Sequence, residues 1–517
     1  MPENNQSSPH KTPQKMNGVQ KRFFFGISAV WARNAVGIIV NLIQYPLLFH
    51  YLPQEELGIW FLMIGAQMFT GMLDFGFGQT FQRRFAFAKG ACGADPDTPL
   101  TDDARDHIRA LFGLAQRVYR FLSVFVFTIL LLGGFFYFNT LDLSAAAKTG
   151  LNVSWFIMAL GYAANVYGWY VEYTLNGLGD VGFPNLINSV ILVGLLIATW
   201  IVLACGWGLL ALAFLWLIRG VLLRLFGWLV IMRRYPWIHT SKARLQRTEL
   251  SSMLQPSLHW WLAIVGIFLT SGISRYFIGI FLGVSLVPDF VATFAALALV
   301  QSSLIQIVGI LTPLLSQMWQ AGDLELIRQY TFKLIRLSLT LLAMCYIFIC
   351  MYGKLLFELW LGQGHFVGYP VLSILCVMML LEAHHGVLNI PCIAAEKLGF
   401  YKFTLLGGIL GIIFAIIMIP RWGLIGAAGA IFLAQLLTNN WIIPLISLKL
   451  LKYSFKHYFL KVLSPVFLVG ISIVLIALAV HHIIPQQFIG FICLSVLIGF
   501  ISLLNIKRII FSLRKMT

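Results

Sequence analysis

Long apolar runs alternate with short polar segments along almost the whole chain. A helical membrane span needs about 20 predominantly apolar residues. Fourteen runs of this kind can be drawn, at about 23–50, 57–81, 118–138, 151–178, 184–205, 209–232, 255–283, 287–316, 334–353, 367–390, 403–420, 423–447, 459–480 and 486–506. The shortest separations fall at Gly206–Gly208 and at Arg421. The pattern predicts an all-α polytopic membrane protein of about 14 transmembrane helices. Residues 82–117 form the longest polar stretch, where Thr101 or Asp102 is positioned to cap a short interfacial helix carrying Ile108, Leu111 and Phe112.

Charge gives this pattern a direction. With the N-terminus inside and the spans alternating, 29 of the 36 basic residues fall in inside segments. Only Lys148, Lys354 and Arg421 fall outside. That asymmetry is what the positive-inside rule predicts, and it places both termini in the cytoplasm. A missed span would invert every segment after it.

Composition narrows the function classes. The 517 residues are 59% hydrophobic and 11% charged, against about 25% charged in soluble domains. A soluble enzyme, a nucleic-acid binder and a disordered scaffold are excluded. The net charge of +17 would suggest nucleic acid in a soluble protein; here it arises from the basic inside loops. The seven cysteines form no CxxC pair and read as packing residues, with no disulfide framework or metal site. The first 20 residues lack the apolar core of an export signal and read as a cytoplasmic tail.

Two stretches repeat. Trp207-Gly208-Leu209 with the small residues after it matches Trp422-Gly423-Leu424, and Gly177-Leu178-Gly179 resembles Lys397-Leu398-Gly399. These pairs set spans five and six against eleven and twelve. The expected organisation is a tail (1–22), an N-lobe of six spans (23–254), a C-lobe of six spans (255–450), and two further spans with a cytoplasmic C-terminus (451–517). An even-span repeat keeps its orientation, so a pseudo-twofold along the membrane normal would relate the lobes, with a site at their interface.

Polar residues inside the spans mark candidate sites. Ionisable groups in hydrocarbon are costly and usually face a bundle interior or a wet cavity. Span one carries Arg33, Asn34, Gly37, Asn41 and Gln44 within roughly a quarter of the helix circumference. Span two carries Gln67, Thr70, Gly71, Asp74 and Gly78; span four carries Tyr162, Asn165, Trp169, Glu172 and Asn176. Arg219 and Arg224 lie in span six, Arg275 in span seven, Gln306 in span eight, and Glu382, His385 and Asn389 in span ten. An arginine and a carboxylate on neighbouring helices can simply neutralise each other and fix packing, and Arg224 can snorkel toward the cytoplasmic face. Three stripes in one lobe fit a shared polar cavity better, because lipid-facing stripes would insert poorly.

Arginine is permanently charged and forks onto phosphate oxygens. Arg33, Arg219 and Arg275, with Asn34, Asn41, Gln44, Asn176 and Gln306, therefore suit an anionic substrate such as a pyrophosphate. Asp74, Glu172, Glu382 and His385 are candidates for ion coupling, or for charge pairing when the site is empty. No catalytic set, nucleotide loop or metal-ligand cluster is present in the sequence.

Residues 47–84, LLFHYLPQEELGIWFLMIGAQMFTGMLDFGFGQTFQRR, resemble the opening of bacterial polysaccharide flippases of the Wzx (O-antigen transporter) type. The likeness lies in Leu52-Pro53, Leu57-Gly58-Ile59-Trp60 and Leu73-Asp74-Phe75-Gly76-Phe77-Gly78, and again in Leu398-Gly399 and Trp422-Gly423-Leu424-Ile425-Gly426-Ala427-Ala428. Pro53 stands where that family usually has glycine. The resemblance implies the multidrug/oligosaccharidyl-lipid/polysaccharide exporter fold in a bacterial inner membrane. It implies an undecaprenyl-pyrophosphate-linked oligosaccharide as substrate, moved outward by alternating access for surface polysaccharide synthesis. It also implies coupling to a proton or sodium gradient, with a polysaccharide polymerase and chain-length machinery as partners. Multidrug or ion antiport on the same fold, and flipping of the peptidoglycan lipid precursor, are the competing readings. An enzyme such as a polymerase would need sizeable outer loops, which the spacing does not leave.

Overall fold

The computed structural model describes residues 16–92, 98–239, 257–258, 261–309, 315, 318–319, 321–395 and 401–483. Every regular element among them is helical. Helices satisfy all their own backbone hydrogen bonds, which a hydrocarbon environment demands.

Among the described residues, nine helices are long and apolar enough to cross a membrane, or ten if the bent pair Gln54–Met72 and Phe77–Gly90 is one span. The helices Met16–Tyr51 and Leu151–Gly177, of 36 and 27 residues, are long enough but fall outside that set. They carry the polar stripes of spans one and four, which lower their hydropathy. The apolar stretch Tyr401–Leu450 holds two expected spans. At Gly423 the backbone turns to φ 57°, ψ −136°, and a side chain at Gly426 would run into the Met418 carbonyl. The chain therefore doubles back there, next to the expected break at Arg421. The expected span 486–506, residues 1–15 of the expected tail and Lys397-Leu398-Gly399 lie outside the described residues, while residues 16–22 of that tail open the first helix.

Two expectations change. The interfacial helix is instead the opening of a continuous helix, Asp102–Asn139. Thr101 Oγ1 accepts from the Ala104 amide at 3.3 Å and so starts it. Ile108, Leu111 and Phe112 are buried, so burial of this face carries the helix straight into the third span. Span two is not continuous. Phe75 and Gly76 take φ of 52° and 72°, which ends one helix and begins the next at Phe77.

The described chain clusters into two compact units. The first comprises 1–44, 73–135 and 150–258; the second comprises 45–72, 136–149 and 259–517. In the first unit, Leu151–Gly177 packs closely along Gly208–Arg234. A Cβ at Gly220 would come 2.8 Å from the Gly161 carbonyl oxygen, and one at Gly161 would come 3.0 Å from Leu217 Cα. Only glycines allow that approach, the close small-residue packing expected where hydrocarbon gives helices no hydrophobic drive to associate. Lys89 Nζ donates to the Leu178 carbonyl at 2.6 Å, and buried Asp180 receives Arg234 and the Tyr235 hydroxyl. These contacts tie the ends of both helices together.

In the second unit, Tyr369–Ala394 packs against Leu324–Leu361 and Asn439–Leu450. A π-turn at Phe268–Gly272 precedes Arg275, and Gly266 sits against the backbone of Thr404. Residues 45–72 also belong to this unit. Gln54 Nε2 donates to the Ser285 carbonyl at 3.0 Å and to Asp289 at 3.3 Å. The Tyr276 hydroxyl donates to the Leu62 carbonyl at 3.2 Å.

Candidate functional site

The first unit gathers charge from four helices. Arg33 Nη1 donates to Asn185 Oδ1 at 3.2 Å. Glu172 lies within electrostatic reach of both Arg33 and Arg219, and the two arginines also act on each other. Arg219 stacks over Trp216 at 4.7 Å, and its Nε is buried with no hydrogen-bond partner. Among the described residues, no direct ion pair links these three groups. Two guanidinia thus face one carboxylate, leaving a positive excess among intramembrane residues. Arg33 and Glu172 are accessible although each sits within a long helix. An accessible charge at such a position indicates a wet space rather than lipid.

The other expected residues of this unit are placed nearby or elsewhere. Asn34, Asn41 and Gln44 are half-buried on the first helix. Asn41 Nδ2 donates to the Gly37 carbonyl of its own helix at 2.8 Å. Asn176 is half-buried with Oδ1 unsatisfied. Asp74 is buried at the break in span two, where its carboxylate accepts from the Tyr119 hydroxyl at 2.6 Å and the Gly78 amide at 3.0 Å. This carboxylate caps the helix that starts at Phe77 and holds Tyr119, apart from the arginine cluster. Arg224 lies with its guanidinium over the Tyr167 ring, 3.8 Å from the centroid.

The second unit has different chemistry. Glu382 hydrogen-bonds Gln435. With Gln301, Ser302, Ile305, His385 and Gly386 it lines a cavity of about 300 Å³. His385 Nδ1 pairs with Asn440 Oδ1 at 2.8 Å. Asn389 Oδ1, Gln435 Oε1, Asn439 Oδ1, Asn440 Nδ2 and Ser447 Oγ are buried without partners. So many unsatisfied polar atoms call for water or an ion. Helical spacing in the sequence points to Glu382 and His385 but not to this amide bed. Its one signal is Thr438-Asn439-Asn440, which interrupts an apolar run. Arg275 belongs to the same unit but lies elsewhere in it, against Gly65, where an added Cβ would meet its Cδ at 2.7 Å. The Gln306 side chain lies outside the described residues. No group of three metal-ligating side chains occurs among the described residues.

No protein-family model matches the sequence, and no curated protein matches it. Solved structures do match in fold. An inward-facing multidrug resistance MATE family transporter of the MOP superfamily is 14% identical with a TM-score of 0.68, covering 82% of this chain and 98% of that one. The lipid II flippase MurJ, in an inward closed conformation, is 13% identical with a TM-score of 0.66, covering 95% of this chain and 99% of that one. A MOP superfamily transporter from Pyrococcus furiosus is 14% identical with a TM-score of 0.59, covering 86% and 99%. The chain therefore has the fold of the MOP superfamily transporters, as a multi-pass, all-helical protein.

Proposed function

We propose that the chain is a flippase. In this reading it moves an isoprenyl-pyrophosphate-linked oligosaccharide from the cytoplasmic to the outer face of a bacterial inner membrane, by alternating access. It has fourteen spans in two six-span lobes plus two, cytoplasmic termini, and a polysaccharide polymerase with chain-length machinery as partners downstream. The observation that carries the reading is the excess of guanidinium over carboxylate at Arg33, Arg219 and Glu172. Arg33 and Arg219 would take the pyrophosphate oxygens through forked, charge-assisted hydrogen bonds. Glu172 would hold the arginines when substrate is absent. Glu382 and His385, beside the unsatisfied amides, would couple transport to a proton or sodium gradient.

The similarity to a lipid II flippase over 95% of the chain supports a lipid-linked anion as cargo. The similarity to multidrug transporters supports the second reading, export of organic cations, for which a carboxylate-dominated cavity would be expected. The test is deletion of the gene in its host, with labelling of the lipid-linked sugar pool. Build-up of complete lipid-linked units on the cytoplasmic face, with loss of surface polymer, is expected. An unchanged pool with intact polymer would refute the proposal.

A further inference from the structure

A second cationic cluster lies in the first unit, distinct from Arg33 and Glu172. Arg224 stacks over one face of Tyr167 at 3.8 Å. Arg120 and Gln116 also act on the hydroxyl of that tyrosine at close range. Arg224 also acts on Tyr170. Three helices, Asp102–Asn139, Leu151–Gly177 and Gly208–Arg234, thus bring two guanidinia to one tyrosine, Arg224 over its ring and Arg120 near its hydroxyl. Neither arginine has a carboxylate partner among the described residues. By contrast, Arg105, Arg109 and Arg234 of the same unit are each paired with an aspartate.

The cluster sits at the edge of an apolar wall. Arg120 is exposed and ends the polar part of its helix. Beyond it, Phe121 and Val124 are 69% and 63% exposed, and on the neighbouring helix Val221 and Leu225 are exposed as well. On a membrane protein such an apolar surface meets acyl chains. Arg224 lies ten residues before the end of its helix, roughly 15 Å of rise, within the length over which an arginine can snorkel. Two unpaired permanent charges at the margin of a lipid-facing wall need an anion at headgroup depth.

We infer that Arg120 and Arg224, with Tyr167 between them, bind the phosphate of an anionic phospholipid in the leaflet bordering the 98–120 segment. Guanidinia fork onto phosphate oxygens, and Gln116 supplies a further donor. The acyl chains would lie along Phe121, Val124, Val221 and Leu225. The inference rests on the membrane reading of the chain, and its readout is lipid binding, so it stands or falls apart from transport.

The test uses the full-length protein, purified and delipidated in detergent, with dioleoylphosphatidylglycerol, dioleoylphosphatidylcholine and inorganic phosphate as probes. Native mass spectrometry counts bound lipid. Wild type is expected to retain phosphatidylglycerol over phosphatidylcholine, and R120Q/R224Q to retain on the order of thirtyfold less. R105Q, in the solvated aspartate-paired turn, is expected to retain lipid as wild type does. Should the double variant fold poorly, Tyr167→Phe keeps both charges, removes the hydroxyl near Arg120, and is expected to lose retention severalfold. Equal retention by wild type and variants would overturn the inference, as would equal retention of the two lipids. Thermal protection by inorganic phosphate as large as by phosphatidylglycerol would also overturn it, by assigning the site to a free anion.

Discussion

The two units handle polarity within their helices in opposite ways. The first spends its polar positions on guanidinia: Arg33 and Arg219 about Glu172, and Arg224 with Arg120 about Tyr167. Most are backed by an aromatic face or an amide. Their charge is permanent, so only a mobile anion or a carboxylate can answer it. The second unit gathers a carboxyl, an imidazole and amides at Glu382, His385, Gln435 and Asn440. Those groups can change protonation or ligate a small cation. The proposed function assigns the anionic cargo to the first set of groups and the coupling ion to the second.

The largest expected effect tests the first half of that contrast. Arg33→Ala should cut substrate translocation about a hundredfold with membrane levels near normal, because it removes one of two guanidinia facing Glu172. Arg275→Ala, in the second unit, should also lower translocation, by a smaller factor. Normal polymer in both variants would end the cationic-site account. Glu382→Gln tests the other half. It should lower gradient-driven transport about tenfold while leaving substrate affinity within a few fold, measured with and without an imposed ion gradient. A loss of affinity instead would erase the division of labour.

Two smaller effects concern stability. Asp180→Ala leaves the partly exposed Arg234 and the Tyr235 hydroxyl without their acceptor, and should cost about 1–3 kcal/mol, read as a lowered melting temperature. Gly220→Ala drives a methyl against the Gly161 carbonyl and should cost a similar or smaller amount, about 1–2 kcal/mol. If Gly220→Ala melts as wild type does, the close approach of those two helices is not a constraint.

Much of the architecture is legible in the sequence because lipid imposes simple rules. Span length and polar interruption locate many of the helices; Arg33 and Glu172 stand out as candidates by helical spacing, and Arg219 by being charged within a span. Hydropathy cannot show where a helix breaks without losing apolarity. Residues 73–76 carry no proline and read as continuous helix, yet Phe75 and Gly76 adopt positive φ and Asp74 caps the helix beginning at Phe77. Asp102–Asn139 presents the converse problem. Its first turns are charged on one face, so in sequence they resemble a separate interfacial helix rather than the start of a span. Arg120 is indistinguishable in sequence from the other basic residues of its segment. Its meaning comes from Tyr167, 47 residues later, and only packing joins them.

The most direct test of the central claim is reconstitution. Purified protein in proteoliposomes should move a fluorescent isoprenyl-pyrophosphate oligosaccharide across the bilayer, and Arg33→Ala should not. Organic cations should not compete. Translocation unaffected by Arg33→Ala, or efflux of organic cations in place of the anionic lipid, would contradict the account.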